Sequence, residues 1–199
     1  VVLLFNGHIA TVGDTALPGV GGGLDGPHVQ LIELDEDGVV AWKRTYFSDG
    51  EDTGWSLVSD PDPVGQNKGF TVGGSRKSPG KSASDAWLMH TNDKGELQWQ
   101  QTATAPGGAG INAVARMSGG YLAAGDLAKV QNSSEAALWR SDTTGTTTWT
   151  LAAGNAGARA NASLVWNDAV GLVGQSASGK AADLLVVRAS LAGKATCPP

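Results

Sequence analysis

Cysteine is almost missing from this chain: Cys197 is the one thiol in 199 residues. A single cysteine excludes an internal disulfide framework and any zinc site built on several thiolates. Charge is sparse as well, at 17% of residues with a net charge of −5. Lys and Arg are too few and too scattered for a nucleic-acid backbone, and the acidic balance argues against charge-driven attachment to a membrane surface. No apolar run approaches the ~18 residues of a spanning helix, so no membrane insertion is expected. The three histidines, His8, His28 and His90, stand in neither HExxH nor His-x-His spacing. They read as surface or rim residues. There is no GxSxG elbow, and no stretch keeps a helical period of apolar residues. The chain opens on VVLLF without Met or a basic segment, which suggests a processed or partial chain. Few Lys, almost no Cys and much Gly, Ser, Thr and Asn suit a bacterial extracytoplasmic protein.

Glycine, by contrast, is abundant, at 29 of 199. It lacks the strict period of three that collagen requires, and instead punctuates a repeat. The turns LDEDGVVAW, TNDKGELQW, SDTTGTTTW and SLAGKATC place Gly38, Gly95, Gly145 and Gly193 at intervals of 57, 50 and 48 residues. Trp42, Trp99 and Trp149 follow at a fixed distance, and Cys197 takes that place in the fourth unit. A second landmark glycine lies upstream in each unit: Gly13, Gly74, Gly125 and Gly174. Two landmarks with matching spacing mark repeated supersecondary units.

Each unit reads as four strands, A to D, joined by Gly, Asn, Asp and Pro turns; in the second unit these are WSLVSD (Trp55–Asp60), GFTVGG (Gly69–Gly74), DAWLMHT (Asp85–Thr91) and ELQWQQTA (Glu96–Ala103). In strand C the position seven before the turn glycine holds Leu31, Leu88, Leu138 and Val186, and the next holds Ile32, Met89, Trp139 and Val187. Neighbouring strand residues face opposite sides of a sheet, so apolar residues at both predict sheets covered on both faces. The position after that is polar in every unit, Glu33, His90, Arg140 and Arg188, and is expected near a rim. The pattern predicts an all-β chain, a β-propeller of four-stranded antiparallel blades over roughly 1–52, 53–108, 109–158 and 159–199. Four blades either close a small ring or form part of a 6–8-blade ring completed by a second chain or by the rest of the same chain. The larger ring is favoured, because no Cys pair or long terminal strand is visible to fasten a small one.

The segments GGYLAAGD and DAWLMHTNDKGELQWQQTA resemble a bacterial propeller repeat of the form DGGYIVAG…DAWLVKLDSNGNVQWQKTYGG. The resemblance is closest in the second and third units. It implies a secreted or cell-surface propeller, in a family whose members mostly lack an assigned activity. Thr144-Gly145 and Trp149 are distantly similar to the Trp-docking motif of quinoprotein propellers, but Leu34, Thr91 and Ser141 replace its Asp. Ser141–Gly145 and Thr91–Gly95 look like sialidase Asp boxes with the Trp one residue too far. Both motifs are structural.

Function is expected on the face carrying the D–A and B–C loops, since binding groups collect on loops of a rigid scaffold. The second B–C loop is basic through Arg76, Lys77 and Lys81. Trp55, Asn112 and Asn161, near the start of the channel-lining strands, suit a sugar or a polar peptide group. With Arg76 and Lys77 they form the expected ligand-binding set. Asp49, Glu51 and Asp52 in the first D–A loop are the candidate calcium ligands, the one cofactor considered. The Gly-rich stretch Gly19–Gly26 has no helix behind it, so it reads as a loop rather than a phosphate cradle. The sequons at Asn132 and Asn161 are read as coincidental. These features suit a non-enzymatic scaffold that binds protein or carbohydrate. The alternatives are a glycoside hydrolase or quinoprotein-like enzyme on the same frame, or a structural subunit of a larger assembly.

Overall fold

The computed structural model describes residues 1–16, 26–129, 134–167, 169–178 and 181–195. Cys197, the Asn132 sequon and all of Gly19–Gly26 but its last residue lie outside them. The described residues form strands and turns with no helix. The first blade holds β1 (Val2–Leu3), β2 (Ile9–Thr15), β3 (His28–Leu34) and β4 (Val40–Tyr46). The second holds β5 (Glu51–Pro61), β6 (Asn67–Lys77), β7 (Asp85–Asn92) and β8 (Leu97–Ala103). The third holds β9 (Gly108–Met117), β10 (Gly120–Ala128), β11 (Ser134–Ser141) and β12 (Thr147–Ala153). The fourth holds β13 (Arg159–Val165), β14 (Ala169–Ser178) and β15 (Ala181–Ser190), with a single bridge from Ala189 to Ala195 where a fourth strand is expected. Each sheet is an antiparallel meander in chain order, and contacts join each blade to the next.

The repeated turn chemistry has a local cause. Gly38, Gly95, Gly145 and Gly193 all take φ between 72° and 82°, where a side chain would be strained. Three residues earlier a short polar side chain closes the turn. Asp35 Oδ1 accepts from the backbone N–H groups of Asp37 and Val39, Asn92 Oδ1 from those of Lys94 and Glu96, and Asp142 Oδ1 from those of Thr144 and Thr146. The likeness to Asp boxes is this cap.

The upstream landmark glycines answer a different need. Trp55, Asn112 and Asn161 are each the extra residue where the innermost strand slips register against its neighbour. At each slip the landmark glycine presses on the inner backbone. A Cβ on Gly74 would lie 1.8 Å from the Thr53 carbonyl, one on Gly125 1.8 Å from that of Gly110, and one on Gly174 1.9 Å from that of Arg159. The bulge therefore requires glycine opposite it.

Three cores lie between blades. Val29 and Leu31 meet Phe70, Val72, Trp87 and Met89. Leu88 meets Ile111, Ala123 and Trp139, and Leu122 and Leu138 meet Val170 and Leu172. The position seven before the turn glycine thus faces the following blade, and its neighbour faces the preceding one. Each large side chain fully buried here contributes roughly 1.5–3 kcal/mol. A second interlock repeats at the rim of the blades. The rings of Trp42, Trp99 and Trp149 lie within 3 Å of where a Cβ would stand on Gly95, Gly145 and Gly193, the turn glycine of the next blade. One expectation fails at the ends. Val186, the fourth forward-facing residue, is 59% exposed, and its neighbour Leu184 is 76% exposed. Nothing among the described residues covers that face.

Candidate functional site

The D–A loop after the first blade and the B–C loop of the second, with Gly26 and His28, line a cleft of about 500 Å3. Its geometry follows from the local sequence. Gly50 lets the D–A loop lie directly on Lys77 and Ser78, since a Cβ there would stand 2.0 Å from the Lys77 carbonyl. Asp52 N–H donates to the Pro27 carbonyl and so ties the start of β5 to the B–C loop of the first blade. Asp49, Glu51, Lys77 and Lys81 all line the cleft. Glu51 and Lys77 are cross-strand neighbours on β5 and β6 and pair at 3.3 Å, while Lys81 pairs with the buried Asp85 at 2.9 Å. His28 lines the same cleft, is buried, and stands edge-on to the exposed ring of Phe47 at 5.2 Å. Its Nδ1 has no hydrogen-bond partner among the described residues. A buried polar atom without a partner is costly, and such atoms are uncommon in folded proteins.

The expected ligand-binding residues do not converge. Lys77 belongs to the cleft. Arg76 is committed to a two-pronged pair with the fully buried Asp52, at 2.7 and 2.9 Å, and its guanidinium lies over the Trp87 ring at 4.7 Å. Trp55, Asn112 and Asn161 sit at the three bulges of the innermost strands. Asn112 Nδ2 donates to Asp126 and to the Ala160 carbonyl of the next blade, so it laces blades together. Trp55 is 50% exposed above Gly110, and Asn161 is exposed. The candidate calcium ligands are split in the same way, Asp52 to Arg76 and Glu51 to Lys77. Among the described residues no three His, Cys, Asp or Glu side chains gather as a metal ion needs.

At the recurring polar position of strand C, Glu33 is buried, His90 and Arg140 are half-buried, and Arg188 is exposed as a rim residue would be. On the opposite face each junction has a recess, of about 310, 250 and 470 Å3, lined in turn by Glu33, His90 and Arg140. Glu33 is buried, pairing with His8 at 2.7 Å and accepting from Trp42 Nε1 at 3.0 Å. Arg140 donates to the Leu191 carbonyl, as does Trp149 Nε1. His90 stacks on Trp99 and bonds Thr71 at 3.0 Å. Beside it the buried Asp60 meets Arg116 at 2.6 Å and accepts from the Tyr121 hydroxyl at 2.5 Å. Burial pushes the Tyr121 hydroxyl well above its ordinary value, and the bond to Asp60 adds to this. Burial also holds His90 below the usual imidazole value, partly offset by Asp60. Both oxygens of Asp60 have partners from the neighbouring blade, so this cluster joins two blades.

Sequence reasoning missed His28 as a cleft residue, since an isolated histidine in a strand carries no spacing signal. Lys81 was legible only as part of a basic loop. No family model matches the chain, and no curated protein matches it.

Proposed function

We propose that this protein is a non-enzymatic extracytoplasmic scaffold that binds a protein segment through the cleft on its D–A/B–C loop face. The observation that supports this most is the cleft itself, lined by acids and lysines together, with a buried histidine nitrogen that has no partner among the described residues. Charges of both signs with little apolar wall suit an extended polar peptide, whose backbone carbonyls and N–H groups need partners of both kinds. A sugar would be expected to use a flat aromatic platform, and Phe47 is the aromatic side chain beside His28. The sparse charge and near-absence of Cys support the extracytoplasmic placement, as does the likeness of residues 119–126 and 85–103 to secreted propeller repeats.

Peptide and glycan arrays probed with labelled protein test this reading. The expected result is selection of peptides carrying both charge signs, abolished by the double change Lys77→Glu and Lys81→Glu. Selection of glycans alone, or peptide binding indifferent to both lysines, contradicts it.

An enzyme on the same scaffold has one observation in its favour, the Asp60, His90 and Tyr121 cluster. That reading expects hydrolysis of an aryl glycoside that His90→Ala removes without a change in stability. A variant that is only less stable would leave the cluster a joint between blades.

A further inference from the structure

The first and last blades carry the two halves of one junction, and among the described residues nothing covers either half. The fourth blade presents Leu184 and Val186, with Leu164 and Trp166 beside them, all exposed. At the internal junctions the matching forward positions, Ala136, Leu138 and Met117, are buried against the next blade. The first blade's backward face shows the converse. Val1, Leu3 and Ile9 are exposed there, whereas the matching Leu57 and Phe70 of the second blade are buried. Gly38 fits the same pattern. Gly95, Gly145 and Gly193 each carry a Trp from the blade before, while a Cβ on Gly38 would meet nothing within 4 Å. The two bare faces do not meet each other within one chain, since Val186 and Val1 are 59% and 86% exposed.

We infer that the occupant of each bare face is a second copy of this chain, docked head to tail. The fourth blade of one copy covers the first blade of its partner, in the geometry the three internal junctions already use. The contact is heterologous, and such contacts form rings when the rotation closes. Two copies bring the total to eight blades, within the usual propeller range of about 4–8. Contiguous apolar surface of this kind is rarely left bare on a soluble protein. By sequence spacing the fourth unit offers Cys197 where the others offer Trp, so the seam between copies lacks one indole. Association is therefore weaker than the internal junctions and depends on concentration.

Native mass spectrometry of the full chain, from about 0.5 to 50 µM, tests this. The expected species is a dimer that dissociates on dilution. Val186→Asp on one face, and separately Ile32→Lys on the other, should each weaken dimerisation by about 100-fold or more, because each buries a charge in an apolar seam. Circular dichroism confirms that both variants stay folded. Mixing the two variants restores one unaltered seam and sets Asp against Lys in the other, so a mixed dimer should return. A folded monomer at every concentration overturns the inference, as do species that grow without limit. A dimer that survives Val186→Asp, or a mixture that fails to pair, overturns it equally. The cleft lies away from these faces, so a dimer would form whether or not the peptide-binding reading holds.

Discussion

His90 shows how one residue records its surroundings. Burial depresses its proton affinity, so between its folded value and about 6.5 the unfolded chain holds a proton that the folded chain does not. The folding stability linked to His90 is complete above about pH 6.5 and is lost as pH falls through the lower folded value. His90→Gln should flatten this dependence. Urea midpoints of both proteins, taken at several pH values below neutrality, should differ most at high pH and converge as pH drops. A gap that widens on acidification would contradict the assignment. The neighbouring Tyr121→Phe removes a donor from a buried carboxylate and should cost about 1.5–3 kcal/mol, read by the same denaturation. The polar character of position 90 was legible in the sequence. Its partners were not, because Asp60, Thr71 and Tyr121 come together through two sheets and one blade junction.

At the scale of the strand, the landmark glycines differ in what they do, although the sequence presents them as equivalent. Gly74 faces the Thr53 carbonyl at a bulge, and Gly13 has open space where its Cβ would go. Gly74→Ala should therefore cost about 2 kcal/mol or more through forced displacement of the inner strand. Gly13→Ala should change stability by less than about 0.5 kcal/mol. Thermal unfolding of the two variants checks the contrast, and equal losses would mean the bulge is not what selects glycine. Trp99→Ala should cost about 2–4 kcal/mol, since its ring covers Gly145 and stacks on His90. The period of glycine and tryptophan made the blades legible. The bulges were not legible, because a single inserted residue leaves the spacing of the landmarks almost unchanged. The sequence places Trp55, Asn112 and Asn161 near the starts of strands, and the structure makes them the bulged residues themselves.

At the scale of the whole molecule, the alternation of forward and backward faces organises everything else. Every internal junction pairs a residue seven before one turn glycine with a residue six before the next. The same rule leaves Val186 and Ile32 facing outward at opposite ends of the chain, with Val186 exposed and Ile32 partly covered. The blade count and strand order followed from the repeat. Whether the ends meet did not, because the repeat is the same in a closed ring and in an open arc. The cleft also escaped the sequence, since Gly50 and His28 act only once two loops from different blades are brought together. The most direct test of this arrangement places cysteines at both ends, Ile32→Cys and Val186→Cys, in a Cys197→Ser background. A short bis-maleimide is then added at low and at high protein concentration. The arrangement described here predicts a covalent dimer whose yield rises with concentration. An internally bridged monomer, formed equally well on dilution, would mean that the four blades close on themselves, and would contradict it.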